Sequence, residues 1–189
     1  MDFDKPEYFL NRELSWLKFN ERVLAEASAP SSPLLERLKF IAITSSNLDE
    51  FFMVRVGALK NQQEESRDWV DAAGMSASRQ LSEIAKSAHR QVKQQYRLLK
   101  ELRREMATEQ IQFLSADNLA TVAAEWLRKY FENIVAPVLT PLAVDASHPF
   151  PFLANRSLNL GVTILNKTGE ANVAVVQVPA VLPRLLEIP

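Results

Sequence analysis

Asn47 lies in the stretch AITSSNLDEFF, Ala42 to Phe52, where two serines, an asparagine and two carboxylates interrupt an apolar run that then turns aromatic. Two chemistries suit these residue types. Asn47 with Glu50, or Ser46 with Asp49, has the spacing of a capping box, which satisfies the free N–H groups at a helix start. Both carboxylates would then occupy a first turn, where the helix dipole favours negative charge. A helix start can also receive a ligand. Asp49 and Glu50 would repel a phosphate there, whereas a nucleobase edge would suit the donor and acceptor of the Asn47 amide. Residue chemistry leaves the cap and the base reader both open.

The second candidate is a row of cations. Arg79, Lys86, Arg90, Lys93, Arg97, Lys100 and Arg104 fall within about 40° of one line on a helix turning 100° per residue. From Lys86 to Arg104 there are seven Lys or Arg and one acid, Glu101, so the row is locally strongly basic. Evenly spaced cations on a rigid rod could pair with the phosphates of a polyanion. They could equally form a solvated face whose acidic partners lie on neighbouring helices or another subunit.

Other chemistries lack their residues. Cysteine is absent and His89 and His148 are the only histidines, which excludes disulfides, thiolate catalysis and an N/S metal cluster. The four glycines never form a phosphate-binding loop, and no nucleophile elbow is present. His89 falls between the basic row and the apolar stripe of its helix, and His148 sits among prolines and aromatics in DASHPFPF. Both read as packing or surface groups. No catalytic residue and no metal ligand is expected in this chain.

The elements that must position these groups are helical up to about residue 108. SWLKFNERVLAEA offers Ser15 as an N-cap, with Trp16, Phe19 and Val23 at helical spacing. SAPSSP is a turn, and Pro33 is expected at the first position of a second helix with Leu34, Leu35, Leu38 and Ile41 on one side. That helix is expected to end at the serines beside Asn47. A third would carry Leu48, Phe52, Val56 and Leu59 on one stripe, and Gly74 would break the chain again. A long fourth helix is expected from Ser76 to Thr108, its stripe being Leu81, Ile84, Ala88, Val92, Leu99, Leu102 and Met106 with Gln95 in the one gap.

The pattern changes after residue 108. IQFL suggests a short strand, and SADNLATVAAEWLRKYFENIV suggests an amphipathic helix starting at Ser115. Pro137, Pro141, Pro149 and Pro151 then forbid long helices. SLNLGVTIL alternates with period two, NKTGE is a turn and ANVAVVQVP a second strand, so Ser157 to Pro179 reads as a β-hairpin. The expected fold is therefore a mostly α helical bundle with one long helix, residues 1–108, followed by a partial α+β domain, residues 109–189. A two-stranded hairpin is marginal alone, which suggests the front part of something larger.

Composition is ordinary for a globular protein, with 47% hydrophobic and 24% charged residues. A net charge of −1 gives the whole molecule no field that seeks polyanions. The start is acidic and broken by Pro6, unlike a secretory signal, and no apolar run is long enough to span a bilayer. The expected location is the cytoplasm, with the inner-membrane periphery as its edge.

Three segments carry a resemblance: RELSWLKFNERVLAEA, PLLERLKFIAITSSNLDEFFMVRVGALK and PVLTPLAVDASHPFPFLANRSLNLGV. In order and spacing they closely resemble the N-terminal part of the family-1 bacterial polyphosphate kinases, and the likeness extends across essentially the whole chain. The resemblance implies a reversible enzyme that moves the terminal phosphoryl group of ATP onto inorganic polyphosphate. It implies a helical N-terminal domain, a head domain begun here, and two catalytic domains that are absent. The family's phosphorylated histidine, its magnesium-binding arginines and most nucleotide contacts belong to those absent domains, and neither His89 nor His148 matches the phosphohistidine. The asparagine of the motif S-x-N-L-D-E-F contributes to the family's ATP site. Asn47 matches it and is the only functional residue carried over.

The resemblance also implies Mg2+ in the parent enzyme, with no ligands in this chain, and a homodimer in which the N-terminal and head regions take part. No specific nucleic acid is expected as a partner. A complete enzyme would be several times longer, so this chain is expected to be a fragment without kinase activity, because the covalent phosphoryl carrier is missing. Two other readings are an autonomous polyanion-binding module acting through Lys86, Arg90, Lys93, Arg97, Lys100 and Arg104, and a helical interaction scaffold.

Overall fold

The computed structural model describes residues 4–66, 68–115, 119–145, 147–165, 169 and 171–188. They belong to two compact units, residues 1–113 and 114–189. The first is helical.

Asn11, rather than Ser15, caps α1 (Arg12–Ala25): its side-chain oxygen accepts from the Leu14 N–H at 2.8 Å. The buried line of α1 is Leu17, Asn20 and Leu24, one residue on from the expected Trp16, Phe19 and Val23. Phe19 is exposed. Trp16 is half-buried and stacks on Phe51 with ring centroids 4.5 Å apart.

Pro33 is the N-cap of α2 (Leu34–Phe51), one position before the first helical residue where it was expected. The larger correction concerns the serines, where α2 does not stop. It runs through Ser45, Ser46 and Asn47 to Phe51, passes through a π-helical turn at Phe52–Val56 and continues as α3 (Gly57–Glu65). The two helices expected on either side of Asn47 are one rod, and there is no capping box. Ser45, Ser46, Asp49 and Glu50 lie on the exposed side of the helix, while Thr44 and Asn47 bond without a helix end. Thr44 Oγ1 donates to the Phe40 carbonyl one turn back at 2.7 Å, and the Asn47 amide donates to a side chain of α1.

The π turn also explains which aromatic is buried. Thr44, Leu48 and Phe51 form the buried line of α2, and Val56 and Leu59 continue it in α3. The five-residue step from Phe51 to Val56 is one π turn, which returns Val56 to the face that Phe51 left. Phe52, expected in that stripe, is instead exposed.

Gly74, at φ +72°, turns the chain back into α4 (Ala77–Thr108) through a left-handed conformation that glycine adopts without strain. Ser76 caps α4, its hydroxyl accepting from the Arg79 N–H at 3.3 Å. The buried line of α4 holds Ile84, Ala88, Gln95, Leu102 and Met106 as expected, but also Gln80, Gln91 and Leu98. Val92 is outside it, 37% exposed. The buried glutamines reach acceptors and donors on α1, α2 and the loop before α4, which is why they lie inside.

Polar contacts also fix helix directions. Asn11 donates to Gln80 at 2.8 Å and Asn20 to Gln91 at 3.2 Å, so α1 and α4 run parallel. Gln95 donates to the Ile41 carbonyl at 3.4 Å, and Arg37 pairs with Glu105 at 2.7 Å, so α2 runs antiparallel to α4. Between these contacts lie two apolar clusters. One is built on Leu17, Leu48, Phe51, Val56 and Ile84, the other on Leu24, Ile41, Leu98 and Leu102.

IQFL forms no strand. Phe113 is engaged instead by Arg103, whose guanidinium lies 5.2 Å from the ring centroid and donates to the Phe113 carbonyl at 3.1 Å. In the second unit α5 (Thr121–Tyr130) begins after Ala120, not at Ser115, and ends in a π turn, Phe131–Val135, followed by a 3-10 turn containing Pro137. The expected hairpin is present as β2 (Leu158–Leu165) and β3 (Ala171–Val178), paired antiparallel from Leu158↔Val178 to Leu165↔Ala171. Of its NKTGE turn only Gly169, at φ +85°, lies within the described residues. A third strand that the sequence reading did not include, β1 (Pro141–Val144), pairs antiparallel with the other edge of β3, giving the order β1-β3-β2. Pro141 is tolerated as the first residue of an edge strand.

Candidate functional site

Asn47 lines a pocket of about 310 Å³ in the helical unit. From α1 come Trp16 and Phe19, from α2 Asn47, Glu50 and Phe51, and from the π turn Val54 and Arg55. The π turn matters here, because it buries Phe51 behind Trp16 while Val54 and Arg55 reach the same pocket. Its walls are therefore aromatic or apolar, and its polar groups are one amide, one carboxylate and one guanidinium.

The guanidinium and the amide have different supports. Arg55 donates through Nη1 to both oxygens of Glu13, at 3.2 and 3.5 Å. The Glu13 side chain is only 6% exposed and also accepts from Arg12 at 2.8 Å, so a buried carboxylate holds two guanidinium groups. Asn47 Nδ2 donates to Asn20 Oδ1 at 3.0 Å. Asn20 is fully buried, and its Nδ2 donates to the Thr44 carbonyl at 3.3 Å and to Gln91 Oε1 at 3.2 Å. Gln91, also fully buried, donates in turn to the Leu17 carbonyl at 2.8 Å. Asn47 Oδ1 accepts a hydrogen bond from none of the described residues.

Chemically this is a place to hold a planar ring with a polar edge. Aromatic faces offer stacking, and an amide with a free acceptor offers edge recognition. It contains no hydroxyl or thiol nucleophile beside a base. Among the described residues, the two carboxylates whose proton affinity is clearly lowered lie elsewhere: Glu83, through its hydrogen bond and charge pairing with Lys86, and Asp145, chiefly through the Ser147 N–H and then the His148 side chain. No group of three His or carboxylate side chains that could hold a metal ion occurs among the described residues.

Comparison with known proteins identifies the family. The family model "Polyphosphate kinase N-terminal domain" matches residues 9–114, and "Polyphosphate kinase middle domain" matches residues 123–189. The chain belongs to the polyphosphate kinase family. It is 48% identical to the polyphosphate kinase of Halalkalibacterium halodurans over 193 aligned residues, covering 100% of this chain and 27% of that protein. It is 41% identical to the Pseudomonas aeruginosa enzyme, covering 98% of this chain and 28% of the relative. The crystal structure of polyphosphate kinase from Porphyromonas gingivalis superposes with a TM-score of 0.75 at 29% identity, covering 94% of this chain and 26% of that one. The chain thus spans about a quarter of the length of these polyphosphate kinases.

Of the ligand-contacting residues expected from the sequence, Asn47 alone lines this pocket; Glu50, read there as a cap carboxylate, and Trp16 and Phe19, read as a packing stripe, line it too. The basic row lies along α4 and is partly neutralised. Lys86 pairs with Glu83 at 2.7 Å, Arg90 with Glu21 at 2.9 Å and Arg97, weakly, with Glu101 at 3.8 Å. Lys93, Lys100 and Arg104 form no ion pair among the described residues. Lys100 and Arg104 share a second, wider hollow with Tyr96, Arg103 and Phe113. His89 Nδ1 is 2.8 Å from the Ala85 carbonyl, one turn back on its own helix. His148 Nδ1 is 3.0 Å from Asp145 Oδ1, within a turn closed by the Ser147 and His148 N–H groups. Both histidines are thus held locally.

Sequence reading missed Trp16 and Arg55 as pocket residues, and Asn20 and Gln91 behind Asn47. A usable signal was present. Asn20 lies three residues after Leu17 and four before Leu24, and Gln91 three after Ala88 and seven after Ile84, so helical spacing sets both amides in line with apolar residues, and buried amides require partners.

Proposed function

We propose that this chain forms the helical N-terminal domain and the start of the head domain of a polyphosphate kinase that reversibly transfers the terminal phosphoryl group of ATP to inorganic polyphosphate. Within that enzyme, Asn47 contacts the adenine of ATP. The observation that carries this reading is the pocket itself, which joins the stacked Trp16–Phe51 wall to an amide whose oxygen accepts from none of the described residues. The phosphoryl chemistry belongs to residues outside this chain. Magnesium finds no candidate ligand group among the described residues, so no step is assigned to it here. A homodimer in the cytoplasm belongs to the same reading, and sedimentation equilibrium of the full-length enzyme reads its oligomeric state. Among the described residues no helix is long and apolar enough to cross a membrane.

The test is Asn47→Ala in the full-length enzyme. A well-placed asparagine–adenine pair is worth roughly 1–3 kcal/mol of recognition, so ATP kcat/KM should fall by about tenfold or more, chiefly through KM. Thermal unfolding of the same variant separates this loss from the loss of the bond to Asn20. Unchanged ATP kinetics would leave Asn47 as a packing residue and remove the basis of the proposal.

A second reading has an observation of its own: Lys93, Lys100 and Arg104 are cations on one face of α4 without ion-pair partners among the described residues. They would give this chain a weak, salt-sensitive affinity for polyphosphate, through pairing with its phosphates.

A further inference from the structure

The amides behind Asn47 form a directed chain. At its far end the Leu17 carbonyl can only accept, so Gln91 must point Nε2 toward it, at 2.8 Å, and leave Oε1 facing Asn20. Asn20 then sees two acceptors, Gln91 Oε1 at 3.2 Å and the Thr44 carbonyl at 3.3 Å, which together use its Nδ2. Its Oδ1 is therefore left for Asn47, whose Nδ2 lies 3.0 Å away. Two backbone carbonyls thus determine the orientation of three side-chain amides, because a carbonyl has no donor form. Asn20 and Gln91 are fully buried, so water cannot replace any partner that a flipped amide would lose.

The consequence falls on the pocket. With one N–H committed to Asn20, Asn47 offers Oδ1 as an acceptor and a single remaining N–H as a donor. That combination matches the edge of a 6-aminopurine, which places an exocyclic N–H beside a ring-nitrogen acceptor. A 6-oxopurine has a carbonyl where the amine would be, and on its N1 side the neighbouring ring nitrogen carries an N–H as well. Its oxygen would face Asn47 Oδ1.

We infer that Asn20 and Gln91 are positioning residues that set the polarity of Asn47 and make the pocket selective for 6-aminopurine over 6-oxopurine nucleotides. The inference rests on the reading of Asn47 as a base contact and adds the device that gives the contact its direction. Removing Asn20 frees the Asn47 amide to rotate and accept either edge. Discrimination then falls even where the pocket still binds.

The experiment compares ATP with inosine triphosphate in the full-length enzyme, measuring kcat/KM for each. The unaltered enzyme is expected to favour ATP by about tenfold or more, the discrimination of one bidentate amide pair. Asn20→Leu is expected to bring the ratio close to one, with KM carrying the change. Gln91→Met, which removes the far anchor while leaving Asn20 held by Thr44, is expected to shift the ratio in the same direction by a smaller factor. General loosening of the bundle would weaken both nucleotides alike and leave the ratio in place. Unaltered enzyme that uses both nucleotides equally well overturns the inference without any variant. A ratio unchanged in the folded Asn20 and Gln91 variants also overturns it, if Asn47→Ala abolishes discrimination. If Asn47→Ala leaves ATP kinetics untouched, it is the underlying reading of the pocket that falls.

Discussion

Asn11 carries more than a helix cap, and a pair of substitutions separates its roles. Its Oδ1 accepts from the Leu14 N–H at 2.8 Å, while Nδ2 donates to Asp71 Oδ2 at 2.6 Å and to Gln80 Oε1 at 2.8 Å. Asp71 in turn accepts from the Met75 N–H at 2.7 Å, and Gln80 Nε2 donates to the Met75 carbonyl at 3.0 Å. One side chain therefore joins the start of α1, the loop before α4 and the first turns of α4. Asn11→Ala removes all three bonds. Loss of the cap costs about 1 kcal/mol. Stranding Gln80 Oε1, in a residue 2% exposed, adds roughly 1–3 kcal/mol. The charge-assisted bond to half-buried Asp71 contributes toward the lower end of its usual range, because water can partly replace it. The sum is roughly 3.5–5.5 kcal/mol, or about 15–25 °C in Tm for a unit of this size.

Asn11→Asp supplies the sharper comparison. The carboxylate can still cap α1, but it replaces the donor with a second negative charge facing Asp71, and Gln80 cannot flip to help without losing Met75. At pH 7 the expected order of stability is therefore Asn, then Ala, with Asp no better than Ala. A simple cap would give Asn and Asp nearly equal, with Ala about 1 kcal/mol below. Urea unfolding of the three proteins, followed by far-UV circular dichroism, reads the order directly. An Asp variant within about 0.5 kcal/mol of the unaltered protein would refute the proposed junction and leave only the cap.

Two further outcomes follow from the surface groups. Asp145 is held below the usual carboxylate range by the Ser147 N–H, the His148 side chain and the His148 N–H. A group whose folded pKa is depressed stabilises its turn above the unfolded pKa and loses that contribution as pH falls through the folded one; an NMR titration should therefore show the Ser147 and His148 amide signals changing only below the range of ordinary carboxylates, and a change at the ordinary carboxylate midpoint would contradict the assignment. Charge reversal at Lys100 and Arg104 together should abolish salt-sensitive polyphosphate binding by this chain in filter-binding or fluorescence-anisotropy assays at low ionic strength. Equal binding by the reversed and unaltered proteins would remove the ridge from consideration.

The parts legible from the sequence were those that depend on period and punctuation. Ser76 and Gly74 marked the start of α4 because a hydroxyl cap and a left-handed turn are local requirements. The β2–β3 hairpin was legible because alternation over Leu158 to Ile164 needs no knowledge of what covers it. The interruption at Asn47 was misread for a related reason. Serine, asparagine and carboxylates favour helix ends when their partners are local, but here Ser45, Ser46, Asp49 and Glu50 lie on the exposed side of α2 and Asn47 is taken up by another helix. Asn20, 27 residues earlier, takes the Asn47 amide. The π turn was equally hidden, since the extra residue shows only when Phe51 and Val56 are seen on one face. Resemblance, rather than residue chemistry, singled out Asn47, while the groups that aim it were invisible without the fold.

Those groups also decide why the bundle adopts one register. Apolar stripes on α1, α2 and α4 tolerate sliding, because leucine and isoleucine pack acceptably against many neighbours. The amides do not. A slide of α4 by one turn, about 5.4 Å, would carry Gln91 away from Leu17 and Asn20, and Gln80 away from Asn11. It would strand several fully buried donors and acceptors at roughly 1–3 kcal/mol each. That penalty approaches the whole stability of an ordinary domain, so the amide contacts at the α1–α4 seam select the register while the apolar clusters supply the driving force. Asn20 belongs to both systems: it fixes the seam through Gln91 and presents its oxygen to Asn47. Any change that shifts α4 against α1 must therefore also disturb the aim of Asn47. Core substitutions facing Gln91 should alter nucleotide selectivity before they unfold the protein, whereas substitutions of equal severity around Leu102, in the other apolar cluster, should lower stability and leave selectivity in place.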